Sequence, residues 1–442
     1  MYLFAKDLAP LTLYFVGIII FFICLTGKVR YGLFFLVPLF PLQNILEKMY
    51  PLPLGDNFDD ILLIGMMIGW LVSRGSSKEP LMGKSPLNFL LFILFIYTYV
   101  SLWQGSFYLG DPPPINPAEP RLQNWKNYMI LPLLFFLTAN NLKNKEDFKK
   151  LFMIMCWSML LMNFYNVRQV GDMNTWFSRT KVHGTFVWLG ANEVAAFYAT
   201  YTFILIGVFF FEKNVRRKLF LGFIIFLNLY IDLFMFSRGE YIATVLGFFL
   251  IAVIRKRILI VPIILLLVFW QAILPKAVIE RLTFSEEEGQ LDQSAQIRLN
   301  IWQESFVYIK ENPVFGLGFN VFSHIGEQRD THNIFLKTFS EQGIIGLTLL
   351  LSILGISFNR GLRLYSRADD KFLKGLGLGF AACVLAVIAG NCFGDRWSHT
   401  PLAVFFWVYL GMVERGNNLV DQELAAQANK KETQKVKYGR RG

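Results

Sequence analysis

Apolar runs recur along almost the whole chain, and short polar connectors separate them. Many of the runs approach the ~20 residues that an α-helix needs to cross the hydrocarbon core of a bilayer. Two pairs of runs are divided only by the short breaks at Gly27–Arg30 and Ser237–Glu240, so we expect 11–13 transmembrane helices. The candidate spans are residues 8–26, 31–46, 58–72, 86–104, 127–140, 148–170, 186–211, 217–237, 239–254, 258–274, 343–358, 371–393 and 399–413.

The composition agrees with this pattern. Hydrophobic residues make up 54% of the chain and charged residues 17%, and the mean hydropathy is +0.43. A soluble protein usually carries about 25% charged residues. No segment combines the size and the polarity of a soluble domain, so the sequence predicts an all-α polytopic membrane protein.

The basic residues are distributed unevenly between the connectors. Of the 43 lysines and arginines, 28 lie in alternate connectors and in the C-terminal tail. Lysine and arginine are enriched on the cytoplasmic side of membrane proteins, so we expect these connectors and the tail to face the cytoplasm. The formal net charge of +11 is then a signal of membrane topology, and nucleic-acid binding is disfavoured.

The connectors divide the chain into four regions. We expect an N-terminal transmembrane bundle, then one long extracytoplasmic loop, then further transmembrane helices and a basic cytoplasmic tail. These regions are residues 1–274, 275–340, 341–413 and 414–442.

One helix is predicted inside the long loop. Between Ser294 and Lys310, Ile297, Ile301 and Trp302 recur at helical spacing, and the Asn-Pro pair that follows ends the pattern. An amphipathic helix that bears a tryptophan between two spans is typical of the membrane interface. We therefore expect an interfacial helix here.

Polar residues capable of chemistry gather at the outer ends of spans and in outer loops. The long loop holds six basic and nine acidic residues, so an arginine that binds an anion there must act locally. Arginine suits such a site because its planar fork meets phosphate oxygens bidentately, although arginines at span ends also anchor at the interface or form loop salt bridges. The candidates are Arg179, His183, Arg238, Arg298, Arg329, His332, Arg396 and His399.

Nothing in the sequence predicts a metal or cofactor site. All four cysteines lie in apolar runs, and no histidine or acid lies at a metal-ligand spacing from His332. No phosphate-binding or dinucleotide-binding glycine motif occurs. The adjacent acids Asp59 and Asp60 are explained by a solvated helix end. We expect no cofactor and no metal.

Four stretches in fixed order resemble the bacterial O-antigen ligase and polymerase superfamily. The Ser-Arg-Gly segment Ser237–Gly239 begins a span, and Arg298–Trp302 is similar to an Arg-x-x-x-Trp helix start. Asn312–Gly318 matches a turn of Asn-Pro and two glycines. His332–Leu336, followed by Glu341–Gly343, matches a His-Asn-x-x-Leu and Glu-x-Gly signature.

A looser match extends the resemblance towards the N-terminus. It covers Gly184–Phe186 and Asn192–Glu193, and it aligns Arg179 or Lys181 with a basic residue of the family. The N-terminal half of the chain is similar in hydropathy alone.

The resemblance implies a GT-C-like glycosyltransferase with its active site in one long periplasmic loop. Such enzymes move a glycan from undecaprenyl pyrophosphate to an acceptor hydroxyl at the periplasmic face of the inner membrane. Ligases deliver it to lipid A–core, which we expect here, and polymerases deliver it to another lipid-linked glycan. Protein O-oligosaccharyltransferases use serine or threonine, and many of them carry a sizeable C-terminal domain that this tail does not provide.

The resemblance also implies roles for individual residues. His332 is expected on the acceptor side as the catalytic base, since a neutral imidazole accepts a proton near pH 7. Arg298 and Arg238 are expected to bind the pyrophosphate, with Arg179 as a third candidate. Arginines can stabilise the charge of the leaving group without a metal ion.

Two other functions remain open at this point. A transporter of lipid-linked sugars would place many polar residues in mid-span, where this chain has mainly Glu193 and Asp232. A scaffold for envelope assembly would tolerate the loss of His332 or Arg298.

Overall fold

The computed structural model describes residues 2–77, 80–173, 176–284, 286–287, 290–291, 293–325 and 330–439. Within these ranges the regular secondary structure is helical apart from two paired antiparallel strands, β1 (Glu286–Glu287) and β2 (Gln290–Leu291). The α-helices are α1 (Tyr2–Leu25), α2 (Arg30–Leu36), α3 (Gln43–Leu46), α4 (Phe58–Ser77), α5 (Leu87–Leu109), α6 (Pro120–Asn141), α7 (Lys145–Gly171), α8 (Ala191–Phe209), α9 (Val215–Phe234), α10 (Arg238–Arg255), α11 (Ile260–Val268), α12 (Trp270–Ile273), α13 (Lys276–Thr283), α14 (Gln293–Glu311), α15 (Phe322–Ile325), α16 (Ile334–Arg367), α17 (Lys371–Asn391) and α18 (Thr400–Gly439).

Six helices in the described part of the chain are long and apolar enough to cross a membrane, namely α1, α5, α7, α8, α16 and α17. This confirms a polytopic membrane protein. Each of the thirteen candidate spans overlaps at least one helix, although some of those helices are shorter or more polar. The total of 11–13 transmembrane helices stays a prediction.

Two candidate spans are broken. Residues 31–46 form α2, a 3₁₀ turn with Pro38, and α3. Residues 258–274 form α11 and α12 with a break at Phe269. Proline removes a backbone donor and disrupts a helix interior, which explains the first break.

The centre of the bundle is the pair α8 and α17, whose residues are mostly buried. A Cβ on Gly207 of α8 would lie 2.3 Å from the carbonyl oxygen of Gly375 in α17 and 2.6 Å from Cα of Gly379. Small residues at a helix interface let two backbones approach this closely. The two helices therefore form a rigid core whose ends fix the loops that flank them.

The helix predicted at 294–310 is confirmed as α14, which spans Gln293–Glu311. Its position at the membrane interface stays a prediction, as do the four predicted regions of the chain. The helices cross two of the proposed boundaries: α16 begins at Ile334, and α18 passes residue 414 without a break.

The turn after α14 packs against a kink in α16. Gly343 has φ +61°, which interrupts the helix, and a Cβ there would lie 2.1 Å from the carbonyl oxygen of Val314. The backbone N–H of Gly318 donates to the carbonyl of Glu341 at 2.7 Å. The Asn312–Gly318 turn and the Glu341–Gly343 segment therefore pack tightly against each other. These contacts fix the position of α14 relative to the start of α16.

Candidate active site

Five arginines converge on one small pocket of about 20 Å³ at the N-terminal ends of α10 and α14. We call it the arginine pocket, and it is lined by Arg179, Arg238, Arg281, Arg298 and Arg396, with Glu240 beside them. The three arginines predicted from sequence are thus brought together, although more than a hundred residues separate the first from the last.

A single carbonyl helps to organise this pocket. Phe236 has φ +54°, immediately before α10. Its carbonyl oxygen accepts hydrogen bonds from Nη1 of Arg179 at 2.6 Å and from Nε of Arg281 at 3.4 Å. Arg238, two residues later, donates to the carbonyl of Phe284 at 3.0 Å. The carbonyl of Phe236 therefore orients two of the five guanidinium groups, and the carbonyl of Phe284 orients a third.

Arg396 enters from the loop between α17 and α18. Its Nη1 lies 2.7 Å from Oε1 of Glu193, and its Nε lies 3.6 Å from Oε1 of Glu240. Burial alone would lower the pKa of the Arg396 guanidinium, but Glu193 and Glu240 reverse this effect and raise it. Arg396 is therefore a fixed cation that joins α8, α10 and the loop.

Like charges crowd the rest of the pocket. The pKa of Arg179 is lowered first by burial and then by the charges of Arg298 and Arg238. Arginine still stays protonated because its ordinary pKa lies far above neutral pH. The carboxylates of Glu193 and Glu240 contact Arg396. The other guanidinium groups add like charge to the pocket. An anion with several oxygens would relieve this repulsion.

His332 is held by its neighbour Asp330. Nδ1 of His332 lies 3.2 Å from Oδ2 of Asp330, and the backbone N–H of His332 donates to Oδ1 at 3.0 Å. Burial would raise the pKa of the Asp330 carboxyl, but the hydrogen bond and charge of His332 lower it overall. When the carboxylate accepts from Nδ1–H, the neutral ring presents Nε2 as its proton acceptor.

Asn333, the next residue along the chain, has a structural role. Its Oδ1 accepts from the backbone N–H groups of Phe335 and Leu336, at 2.9 and 3.1 Å. It therefore caps the N-terminus of α16.

α14 links the histidine to the arginine pocket. Trp302 lies one helical turn after Arg298, and its indole N–H donates to the carbonyl of Thr331 at 3.2 Å. The charge of Asp330 also raises the pKa of Arg396. The His332–Asp330 pair thus lies within electrostatic reach of the pocket.

A second, larger cavity of about 460 Å³ is lined in part by Asp330. We call it the acidic cavity because its lining includes Asp59, Asp330, Glu341 and Asp395. Lys337 also lines it and lies 2.8 Å from Oδ2 of Asp395. Burial would raise the pKa of the Asp395 carboxyl, but Lys337 lowers it overall.

A third cavity is an apolar groove of about 600 Å³ between α9, α10, α11 and α13. Leu233, Tyr241, Leu267 and Trp270 are among its lining residues, and Arg238 lies at its edge. Because Arg238 also lines the arginine pocket, the groove and the pocket meet at this residue.

The sequence assigned no role to Arg281 or Glu240, and it named Arg396 only among the polar candidates of the outer loops. Arg281 and Arg396 were visible only as charges in outer loops, whereas Glu240 directly follows the Ser-Arg-Gly segment. Of the other candidates, His183 lies with Nδ1 3.2 Å from the carbonyl of Leu189. Arg329 lies outside the described residues.

Among the described residues, no group of three histidine, cysteine or acidic side chains is arranged to hold a metal ion. Independence from metal stays a prediction, which chelation can test.

Comparison with known proteins supports one family. No curated protein sequence matches this chain. Residues 223–351 match the family model described as O-antigen ligase. That segment contains Arg238, Arg281, Arg298 and His332, whereas Arg179 and Arg396 lie outside it. Together with the membrane-spanning helices, this matching segment supports a relation to the O-antigen ligase and polymerase superfamily.

Proposed function

We propose that this protein transfers a glycan from undecaprenyl pyrophosphate to a hydroxyl of lipid A–core, without a metal ion, at the periplasmic face of the bacterial inner membrane. The observation that carries the proposal is the convergence of five arginines in one pocket, where Arg396 lies within electrostatic reach of Asp330, the partner of His332. The match to the O-antigen ligase model supports the class of reaction.

The arginine pocket is proposed to bind the donor pyrophosphate. Arg238 and Arg298 present planar forks that suit phosphate oxygens, and Arg396 adds a fixed charge. The apolar groove that meets the pocket at Arg238 suits the polyprenyl tail, since it can bury the hydrocarbon while the headgroup contacts the arginines. Donor lipid and donor phosphate would then occupy adjoining sites.

His332 is proposed to act on the acceptor. Nε2 takes the proton of the acceptor hydroxyl as its oxygen attacks the anomeric carbon of the glycan. The bond from that carbon to the pyrophosphate oxygen breaks, and undecaprenyl pyrophosphate leaves with the electron pair. Asp330 stabilises the imidazolium that forms, and the arginines stabilise the charge on the leaving group.

The test uses purified protein in liposomes with a labelled lipid-linked glycan, with and without lipid A–core. Label on lipid A–core is the expected result. Longer lipid-linked chains without label on lipid A–core would indicate a polymerase, and movement of the donor across the bilayer without joining would indicate a transporter. The Arg168→Lys variant is a matched control, because Arg168 is exposed at the end of α7 and does not line the arginine pocket.

A further inference from the structure

Two adjacent residues of opposite charge line two different cavities of the candidate site. Asp395 lines the acidic cavity, and Arg396 lines the arginine pocket. The loop between α17 and α18 thus has the acidic cavity on one side and the arginine pocket on the other. No arginine of the described chain lines the acidic cavity, which faces four carboxylates and one lysine.

Internal contacts neutralise only part of the cavity's charge. Lys337 balances Asp395 at 2.8 Å, and His332 contacts Asp330. Glu341 is buried, and its Oε1 accepts from the backbone N–H of Phe322 at 3.1 Å. Asp59, at the start of α4, is partly exposed, and its Oδ1 accepts a hydrogen bond from the backbone N–H of Asp60 at 3.0 Å. Among the described residues, neither Glu341 nor Asp59 forms a salt bridge, so these two carboxyl groups add to the acidic character of the cavity.

The remaining surface of the cavity suits a neutral ligand with many hydroxyl groups. Tyr50 and Trp188 line it with exposed aromatic rings, against which the apolar face of a sugar can pack. Asn124 and Asn127 are exposed at the same surface. Amides both donate and accept hydrogen bonds, as hydroxyl groups require.

We infer that the acidic cavity is the acceptor subsite and that it selects a glycan end without phosphate or carboxylate groups. The inference rests on the proposed function and adds the chemical class of the acceptor. A negative acceptor end would be repelled by Asp59 and Glu341. The only anion to reach the reaction centre would then be the donor pyrophosphate, on the arginine side.

The first test compares two matched acceptors in the liposome assay. One is lipid A–core with an uncharged outermost sugar, and the other carries one phosphate on that sugar, away from the acceptor hydroxyl. We expect kcat/KM to be at least about tenfold lower for the phosphorylated acceptor. Asp59→Asn should reduce this difference in kcat/KM between the two acceptors, and Asn124→Asp should increase it. Equal use of both acceptors by the wild-type protein would overturn the inference.

The second test measures the cavity's charge without any transfer reaction. Ser398 lines the cavity and is partly exposed, so Ser398→Cys places a thiol there. Cys392→Ser removes the half-buried native thiol, since Cys24, Cys156 and Cys383 are buried. A cationic methanethiosulfonate should react about tenfold faster than an anionic one of similar size.

Two variants test whether Asp59 contributes to the ratio of the cationic to the anionic reaction rate. Asp59→Asn should lower it, whereas Asp172→Asn, which removes an exposed carboxylate at the end of α7, should not. A ratio near one would overturn the inference even if glycans are joined. A high ratio with no joining to either acceptor would instead overturn the proposed function, and the cavity's preference for ligands without negative charge would stand.

Discussion

Both carboxylate oxygens of Asp330 bind His332, one at the ring Nδ1, 3.2 Å away, and the other at the backbone N–H, 3.0 Å away. His332 has φ +50°, a conformation that costs a residue with a Cβ of order 1–3 kcal/mol. A single aspartate thus fixes both the strained backbone and the ring of the proposed base. Such strain persists only where surrounding contacts hold it.

Replacement of Asp330 tests this arrangement. Asp330→Asn keeps the shape of the side chain but removes the charge that orients and stabilises the imidazolium, so the joining rate should fall by about 10²-fold or more while the donor still binds. Because the pKa of Asp330 is lowered, its carboxylate stays ionised throughout the neutral range, and its contribution is lost only as pH falls below the ordinary range of a carboxyl. Steady-state rates and donor binding check this, and Asp172→Asn should leave both unchanged.

The arginine pocket gives a second prediction. Arg238→Lys and Arg298→Lys keep the charge but lose the planar fork, so each should reduce kcat/KM for the donor by about 10–10²-fold. Arg168→Lys, outside the pocket, should have no effect. Near-wild-type turnover in both pocket variants would mean that these arginines have a structural role only.

The kink in α16 gives a prediction about stability. Gly343→Ala would place a Cβ 2.1 Å from the carbonyl oxygen of Val314 at φ +61°, and it should destabilise the protein by about 1–3 kcal/mol. Gly355, in the same helix, has no neighbouring atom within 4 Å of an added Cβ. Gly355→Ala should therefore leave the thermal unfolding temperature unchanged or raise it. Equal unfolding temperatures for the two variants would contradict the proposed role of the kink.

Chelation tests the absence of a metal requirement. Activity of the purified protein should survive an excess of EDTA, because the arginines of the pocket are proposed to balance the pyrophosphate charge. Loss of joining on chelation, with rescue by magnesium or manganese, would refute this prediction.

The helices were predictable from local pattern, but the complete site was not. Apolar runs long enough to span a bilayer indicate most helices, and the spacing of Ile297, Ile301 and Trp302 indicates α14. Arg396 joins the pocket because α8, α10 and the loop before α18 meet in space. No local pattern encodes that contact.

The acidic cavity shows the same limit. Asp59 was explained as a solvated helix end, yet it lines a cavity with Asp330 and Asp395, far along the chain. Only the packing of the helix bundle brings these three carboxylates together around one cavity. Order along the chain, in contrast, was enough to predict that His332 and Arg298 belong to one site, because their motifs follow one another within the family match.

The central claim is that His332 is the acceptor base, and His332→Ala tests it most directly. The variant should insert into liposomes and bind the labelled lipid-linked donor as the wild type does, because the arginine pocket is intact. Its joining rate should fall by about 10²–10⁴-fold, the usual contribution of a general base. A variant that binds the donor and keeps most of its joining rate would contradict the claim, and so would one that loses donor binding.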